Sequence, residues 1–295
     1  MAAEGFDVIA LGETMLSLVA EDGTIETATR FVATHGGAES NSCVGLARGG
    51  LRVAWVSRLG DDAAGRRIRS ALTQEGVALS WVVTDPERPT GVMVRDTVGN
   101  VRYIRDGSAA SALDPADLDD VPIEQARAVL VSGITAMLGP GAQRAAIALL
   151  DRAAGMRVVD PNLRAGLVGS RRARELIAPL IARCDVLLGG EAELAAFARG
   201  EGEALARACA ELGPAEVVVK RGAAGAGALD RSGGWHEQPA VPVEERDPVG
   251  AGDAFNAAYI AARLDGRDVP EALKAAVIAG ANAAATFGDT ERSDR

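Results

Sequence analysis

Short apolar segments alternate with longer amphipathic segments over the second half of the chain. The apolar segments have the length of buried strands, and the segments between them carry apolar residues on one face at helical spacing. The predicted strands are 129–132, 157–160, 186–188 and 217–220, and the predicted helices are 143–153, 172–182 and 203–212. Strands that alternate with helices in this way form a doubly wound, mostly parallel α/β sheet flanked by helices, which binds ligands at the carboxyl ends of its strands.

Two segments in the first half of the chain, 13–34 and 78–108, interrupt this α/β pattern. Both divide into short strand-like pieces separated by turns, unlike the continuous apolar strands predicted at 6–11 and 53–57. We expect the two segments to form one small β-sheet that lies over the main domain as a lid. The main α/β domain then comprises 1–12, 35–77 and 109–295.

The acidic composition excludes several kinds of partner. The 295 residues are 48% hydrophobic, and their formal charge is −10 with a pI near 4.9. A surface of this charge does not attract nucleic acid or anionic membranes. No apolar segment approaches the roughly 18 residues of a membrane span, and the N-terminal segment lacks the basic residues of a signal peptide.

The cysteines and histidines do not form a recognisable redox or metal motif. Cys43, Cys184 and Cys209 are far apart and show no Cys-x-x-Cys spacing, which indicates reduced thiols. His35 and His236 are too distant in sequence for a zinc motif. We therefore predict a cytoplasmic protein, in which any metal arrives with a ligand.

The segment Asp-Pro-Val-Gly-Ala-Gly-Asp at 247–253 is the strongest candidate for a site of chemistry. Gly250 and Gly252 allow a tight turn, and the helix formers that follow place this turn at a helix N-terminus, where free N–H groups attract phosphate. Asp253 adds a carboxylate that can accept the proton of an attacking hydroxyl. The segment therefore predicts phosphoryl transfer to an alcohol. An ordinary helix start with an aspartate in its first turn is the alternative.

A second glycine motif lies near the N-terminus. Gly36 and Gly37 allow a ligand to approach the backbone closely, and Asn41 would face that ligand from the first turn of the next helix. A simple turn with a helix cap is the alternative. Further candidate residues lie at or just after the predicted strand ends, namely Asn162, Arg164, Glu193, Lys220, Gly222 and Gly225.

The motif at 247–253 resembles the C-terminal signature of the PfkB (ribokinase-like) carbohydrate kinases, and Gly36-Gly37 with Asn41 resembles their N-terminal motif. The resemblance implies a ribokinase-like fold and the transfer of a phosphoryl group from ATP, bound with Mg²⁺, to a sugar hydroxyl. Asp253 would be the base, and the backbone of Gly250, Ala251 and Gly252 would form the anion hole. The implied ATP-binding residues are Asn162, Lys220, Gly222, Gly225, Gly250, Gly252 and Asn282. Glu193 would act on the metal indirectly, and a monovalent cation near Asp247 is a further candidate cofactor.

The run Tyr-x-Arg-x-Gly-Ser-Ala at 103–109 is most similar to the 2-keto-3-deoxygluconate kinases of that family. The implied substrate contacts are Gly36, Gly37, Asn41, Tyr103, Arg105, Arg164, Asp253 and Asp289. Tyr103 and Arg105 lie two residues apart in a predicted strand and therefore on one face. Together with Arg164 they favour a sugar acid, because a guanidinium group binds a carboxylate through paired hydrogen bonds. A surface ion pair between Arg164 and Asp160 is the alternative.

Three positions depart from the family pattern. Met93 stands where the 2-keto-3-deoxygluconate kinases carry a tyrosine, and Gly190 stands where the family carries an asparagine of an Asn-x-x-Glu motif. Ser17 stands where many fructokinases and ribokinases carry an aspartate, which weighs against a neutral sugar. A fructokinase or other neutral-sugar kinase remains one alternative, and a nucleotide-binding regulator with weak activity is another. Open edges of the lid sheet also favour a homodimer formed through the lid.

Overall fold

The computed structural model describes residues 5–96, 99–163, 169–244, 246 and 249–286. The strands of these residues are β1 (Val8–Leu11), β2 (Met15–Ala20), β3 (Phe31–Gly36), β4 (Val53–Gly60), β5 (Val82–Asp85), β6 (Val92–Arg95), β7 (Val101–Ile104), β8 (Ala128–Ser132), β9 (Met156–Asp160), β10 (Val186–Gly190), β11 (Glu216–Lys220), β12 (Ala226–Leu229) and β13 (Trp235–Gln238). The helices are α1 (Ala38–Arg48), α2 (Ala63–Gln74), α3 (Gly133–Leu138), α4 (Pro140–Arg152), α5 (Ser170–Ile181), α6 (Glu191–Leu194), α7 (Gly202–Ala210), α8 (Ala251–Leu264) and α9 (Val269–Ala284).

Within the described residues, nine strands form a central sheet in the order β13-β12-β11-β10-β9-β8-β1-β4-β5. The strands from β11 to β5 pair in parallel, and β12 and β13 add an antiparallel hairpin at one edge. The doubly wound, mostly parallel sheet predicted from the sequence is confirmed. The hairpin was not predicted, because Ala226–Leu229 is short and contains a glycine, which weakens a strand pattern.

Helices cover both faces of the central sheet. Alternate residues of β1 face opposite ways, so that Ile9 and Leu11 pack into one hydrophobic cluster and Val8 and Ala10 pack into the other. Helices α4, α5 and α7 contribute to the first cluster, and α1, α2, α8 and α9 contribute to the second. Because both faces are buried, the parallel strands read as continuous apolar runs.

A second sheet of four strands lies apart from the main sheet in the order β3-β2-β6-β7. It contains pieces of both segments that were predicted to form a lid. The placement of 82–85 in that lid is wrong, because β5 pairs in parallel with β4 at the edge of the main sheet, where Val82 is buried. The other boundary also shifts, since β3 continues through Gly36 and pairs it with Met15 of β2.

The connections between the two sheets cross at close range. A Cβ atom at Gly37 would lie 2.1 Å from the carbonyl oxygen of Glu13, so that no side chain fits where β3 leads into α1. This crossing lies just after the carboxyl end of the parallel strand β1, at the edge of the sheet where the α/β topology binds ligands. Among the described helices, none has both the length and the apolar character that crossing a membrane requires.

Candidate active site

A cavity of about 1190 Å³ lies between the lid and the carboxyl ends of the central strands. Both predicted glycine motifs open into it, although they lie more than half the chain apart in sequence. The predicted site residues that line it are Gly36, Gly37, Asn41, Tyr103, Arg105, Asn162, Glu193, Lys220, Gly222, Gly225, Gly250, Ala251, Gly252 and Asp253. The fold thus brings the two motifs and the lid residues to one cleft.

The start of α8 forms one wall of the cavity. Gly250 precedes this helix with φ of 84°, a left-handed conformation that favours glycine. Its carbonyl oxygen accepts hydrogen bonds from the N–H groups of Asp253 and Ala254 at 3.1 and 2.9 Å. Within the described part of the chain, the N–H groups of Ala251 and Gly252 have no acceptor. Free donors at a helix N-terminus can bind the oxygens of a phosphate.

Asp253 lies in the first turn of α8, partly open to the cavity. Its Oδ2 accepts a hydrogen bond of 2.8 Å from Nδ2 of Asn41, which joins the two predicted motifs directly. Burial raises the pKa of Asp253 to about 8. The nearby carboxylate of Asp160 raises this pKa further, whereas the Asn41 amide and the Lys220 ammonium group lower it. A carboxyl with a pKa near neutrality can exchange a proton with a hydroxyl during a reaction.

A buried polar network supports this wall from below. Lys220 Nζ donates to Asp160 Oδ2 at 2.9 Å and to Asn256 Oδ1 at 3.2 Å, and Asn256 Nδ2 donates to the same Asp160 oxygen at 2.6 Å. Burial opposes the charge of Lys220, but the carboxylates of Asp160 and Glu193 outweigh it and raise the lysine pKa. A Cβ atom added to Gly252 would lie 3.7 Å from Lys220 Nζ. The ammonium group therefore stays charged beside the free N–H groups of α8.

Two asparagine residues that line the cavity each contain a buried side-chain oxygen atom. The Oδ1 atoms of Asn41 and Asn162 are buried and have no hydrogen-bond partner among the described residues. Asn162 also adopts a φ of 36°, which is unusual outside glycine, and the hydrogen bond from its N–H to Asp160 Oδ1 stabilises this turn. Buried amide oxygens without partners are acceptors that a ligand hydroxyl or a metal-bound water can satisfy.

Of two further predicted site residues, Glu193 lies at the cavity and Asn282 does not. Glu193 lines the cavity, and its Oε2 accepts the N–H of Gly190 at 2.9 Å, which caps the short helix α6. Asn282 is exposed and does not line the cavity. The face of α9 that reaches the cavity carries Val277, Gly280, Ala281 and Ala284. Residue 282 falls outside this helical stripe, so the structure does not bring its side chain to the site.

The opposite wall belongs to the lid. Met93 of β6 pairs with Tyr103 of β7, and both side chains face the cavity together with Arg95. Arg105 lies 5.9 Å from the centre of the Tyr103 ring. Arg105 also forms an ion pair with Glu13, so its charge is already balanced within the chain. The side chain of Tyr103 is more open to solvent than that of Arg105, with 37% and 8% of the residue surface exposed.

The remaining predicted site residues lie outside the described part of the chain. Arg164, Asp289 and Asp247 belong to this group, so their predicted contacts with substrate or with a monovalent cation stay predictions. Asp160, which the sequence offered as a partner for Arg164, binds Lys220.

Four residues of the site were missed in the sequence analysis, namely Glu13, Arg95, Asp160 as the partner of Lys220, and Asn256. Asn256 and Arg95 had a usable signal. Asn256 follows Asp253 by three residues on a helix, and Arg95 follows Met93 by two residues on a strand, so each shares a face with a residue already considered.

Comparison with protein families agrees with this geometry. Residues 6–294 match the model of the pfkB family carbohydrate kinases. The chain belongs to this family of carbohydrate kinases.

Relatives of the family resemble the chain over nearly its whole length. It is 35% identical to a 2-dehydro-3-deoxygluconokinase of Thermoproteus tenax, a match that covers 96% of this chain and 90% of that protein. It is 34% identical to a 2-dehydro-3-deoxygalactonokinase of Haloferax volcanii, with 90% and 87% covered. The crystal structure of a PfkB protein from Polaromonas sp. JS666 superimposes with a TM-score of 0.88 at 37% identity, covering 96% of this chain and 97% of that one.

The family assignment explains why the two glycine motifs converge. A carbohydrate kinase must bring a sugar hydroxyl to the terminal phosphate of a nucleotide, and it must keep water away from that phosphate. Here Asp253 lines the same cavity as the start of α8, Lys220 and the lid residues Met93, Tyr103 and Arg105.

Proposed function

We propose that this member of the family transfers the γ-phosphoryl group of ATP, bound with Mg²⁺, to a hydroxyl of a small sugar acid, with 2-keto-3-deoxygluconate as the preferred acceptor. The observation that carries the proposal is the position of Asp253. Its carboxyl group is joined to Asn41 of the N-terminal motif and lies in the same turn as the free N–H groups of α8. An anion site alone has no use for a carboxylate, whereas a transferase needs a base at this point.

Each residue of the site has a separate role in the proposed phosphoryl transfer. The acceptor hydroxyl gives its proton to a carboxylate oxygen of Asp253 while the hydroxyl oxygen attacks the γ-phosphorus atom of ATP. The bond from that phosphorus atom to the β–γ bridging oxygen breaks, and ADP leaves with the electron pair of this bond. The N–H groups of Ala251 and Gly252, together with the Lys220 ammonium group, stabilise the negative charge on the transferred group. Asn41 orients Asp253 through the hydrogen bond that its Nδ2 donates. Most of the rate enhancement then comes from positioning and electrostatics.

The donor set fits a magnesium nucleotide better than a resident metal ion. Among the described residues, no three acidic, histidine or cysteine side chains converge as a metal site. A magnesium ion bound to the phosphates of ATP needs only one or two protein carboxylates, often through water. Asp160 and Glu193 line the cavity and suit that role. When bound, the ion would supply Lewis-acid charge neutralisation at the phosphates. A monovalent cation near Asp247 remains part of the proposal.

A sugar acid is favoured by the chemistry of the lid wall. Tyr103 offers a hydroxyl group, and Arg105 offers guanidinium donors whose planar arrangement matches a carboxylate or an adjacent carbonyl. Gly36 and Gly37 let the acceptor approach the backbone, and Arg164 and Asp289 are proposed to complete the acceptor contacts. The named activities of the two curated relatives, which act on six-carbon 3-deoxy sugar acids, support the same class of acceptor.

A neutral sugar such as fructose is the second candidate. It is favoured by one observation, namely that the ion pair with Glu13 balances the charge of Arg105. Met93 adds an apolar surface to the same wall.

A panel of acceptors tests the choice between these functions. ATP consumption is measured with 2-keto-3-deoxygluconate, 2-keto-3-deoxygalactonate, gluconate, fructose and ribose, in the wild-type protein and in Arg105→Ala. We expect the highest kcat/KM with a 3-deoxy sugar acid, and we expect Arg105→Ala to raise KM for that acid far more than KM for fructose. Arg102→Ala is the matched control, because Arg102 is an exposed neighbour in β7 that does not line the cavity.

If the wild-type protein has a higher kcat/KM for fructose than for the sugar acids, the neutral sugar becomes the proposed acceptor. Binding of ATP without phosphorylation of any acceptor would favour a regulatory protein instead.

We further propose that the protein is a cytoplasmic homodimer formed through the lid. The face of the lid sheet that points away from the cavity carries apolar side chains, namely Leu16, Leu18, Phe31, Val92, Val94 and Ile104. Ile104 leaves 59% of its surface exposed, which is costly for a large apolar side chain on a monomer. Light scattering after size-exclusion chromatography should give a dimer that Ile104→Lys weakens, and a wild-type monomer would contradict this proposal.

A further inference from the structure

Glu13 lies where the connections between the lid and the main domain meet. It follows β1, whereas Gly91 precedes β6, and Arg105 and Ser108 follow β7. Ser108 Oγ donates to Glu13 Oε1 at 2.9 Å, and the guanidinium group of Arg105 pairs with Oε2. A Cβ atom at Gly91 would lie 3.0 Å from Glu13 Oε1, so that this connection passes directly over the carboxylate. One carboxylate, itself in the β1–β2 connection, thus lies against two of the other three connections between the lid and the main domain.

The two members of this ion pair have different surroundings. Glu13 is 3% exposed and does not line the cavity, whereas Arg105 is 8% exposed and does. The Nε–H group of Arg105 has no acceptor among the described residues. Since the pair is shielded from solvent, the attraction between its charges is strong and fixes the geometry of the guanidinium group. Glu13 therefore fixes the guanidinium group of a residue that lines the cavity.

We propose that Glu13 is a positioning residue for the acceptor, and that it holds the Arg105 guanidinium group in the single orientation that binds the anionic end of the sugar. This inference rests on the proposed function, because it assigns Glu13 to the acceptor half of the same site. Since Glu13 and Arg105 together carry no net charge, the site selects its acceptor by the direction of N–H donors. A site with an unpaired arginine would attract any anion over a long range, including the phosphates of a nucleotide bound in the wrong place.

The charge of Glu13 is removed in Glu13→Gln, which keeps the size of the side chain and an acceptor for Ser108. We expect the KM of the acceptor to rise roughly 10- to 100-fold, because a misoriented binding group costs this much in comparable sites. The KM of ATP should stay within about twofold of the wild-type value, since independent sites behave additively. Glu21→Gln is the matched control, because Glu21 is an exposed lid glutamate whose pairing with Arg30 is solvent-accessible.

A double-mutant cycle separates positioning from a purely structural role. In the Arg105→Ala background, Glu13→Gln should change the acceptor KM by less than about twofold, because Glu13 acts through Arg105. If Glu13→Gln does not fold, Ser108→Ala serves instead, since it keeps both charges and removes only the hydroxyl that orients the carboxylate. We expect Ser108→Ala to raise the acceptor KM in the same direction by a smaller factor.

Three outcomes would overturn the inference, namely an unchanged acceptor KM, an equal rise in the KM of ATP, or effects of the two substitutions that multiply. Each requires a wild-type protein that phosphorylates an acceptor. A wild-type protein inactive on the whole panel would instead refute the proposed function, so the two failures are distinguishable.

Discussion

Two carboxyl groups have different surroundings: Asp253 lies in the cavity wall at the start of α8, and Glu13 is buried behind the lid wall. Asp253 accepts its hydrogen bond from a neutral amide and faces the cavity directly. Glu13 is paired with a guanidinium group and lies behind the cavity wall. Burial raises the pKa of both groups, and in Glu13 the charge of Arg105 opposes that rise.

The difference between these surroundings determines what each group can do. A carboxyl group that is held by a neutral amide can gain and lose a proton during a reaction without breaking an ion pair. A carboxylate that neutralises a buried guanidinium group loses its ion pair when it is protonated, so its protonation carries an additional cost in free energy. The first group is suited to catalysis and the second to orientation.

Removal of the Asp253 carboxylate should produce the largest change. Asp253→Asn keeps the shape of the side chain but cannot accept a proton, so we expect kcat to fall by about 10²- to 10⁴-fold. Steady-state kinetics with ATP and the preferred acceptor measure this. Asp265→Asn is the control, because Asp265 is an exposed residue at the other end of α8 and should leave kcat unchanged. Turnover close to wild type in Asp253→Asn would remove the reason to treat the two carboxyl groups differently.

Lys220 should affect both the rate and its pH dependence. Lys220→Met removes a charge beside the transferred group, and we expect kcat to fall by about 10²-fold, as for the loss of one stabilising donor. The Lys220 ammonium group also lowers the pKa of Asp253, so its loss should raise that pKa further. The pH dependence of kcat/KM for ATP reports the pKa of Asp253 in the unliganded protein. In Lys220→Met, the pH at which kcat/KM rises should therefore be higher than in the wild-type protein.

Arg221→Met gives the control for Lys220. Arg221 is the next residue in the chain, but it pairs with Glu237 outside the cavity. A pH profile that is unchanged in Lys220→Met would show that the lysine charge does not reach Asp253.

The wall at α8 and the group around Glu13 also differ in how well they can be predicted from the sequence. The wall at α8 is encoded in consecutive residues, because tight turns, free N–H groups and a first-turn carboxylate are all local properties of a helix start. Glu13 and Ser108 are 95 residues apart, and no local pattern indicates that they meet. Arg105 was expected at the cavity and does line it, but its charge was counted as available, because no local pattern indicates its pairing with Glu13.

A similar limit applies to the fold. The alternation of apolar strands and amphipathic helices predicts the parallel sheet, because each buried strand has a continuous apolar run. The segment 82–85 has only two buried residues, at its ends, and its pattern resembles that of the neighbouring lid strands. Its pairing with β4 depends on contacts far along the chain, which periodicity does not report. Asn282 shows the same problem, because the boundaries of a helix do not reveal which of its faces meets a cavity.

The smallest expected effect is on thermal stability, where Asp253→Asn and Glu13→Gln should shift Tm in opposite directions. The folded chain keeps Asp253 protonated up to a pH of about 8, whereas the unfolded chain ionises near the ordinary value of 3.8. The unfolded state therefore binds fewer protons between these values, and the stability of the wild-type protein falls as pH rises through that window. Asp253→Asn removes this loss, so its Tm should exceed that of wild type by about 2–4 °C for each kcal/mol recovered, and the gain should grow from pH 4 to pH 8.

Glu13→Gln should shift Tm in the opposite direction, because it leaves the buried Arg105 without a counter-charge, a change that costs roughly 3–5 kcal/mol in comparable pairs. Differential scanning calorimetry of both variants at pH 5 and pH 8.5 measures the two shifts. Thermal shifts of the same sign would mean that the two carboxyl groups are equivalent in the folded state. Opposite signs would support the view that Asp253 is kept at a cost in stability for its reactivity, and that Glu13 is kept because it holds Arg105 in place.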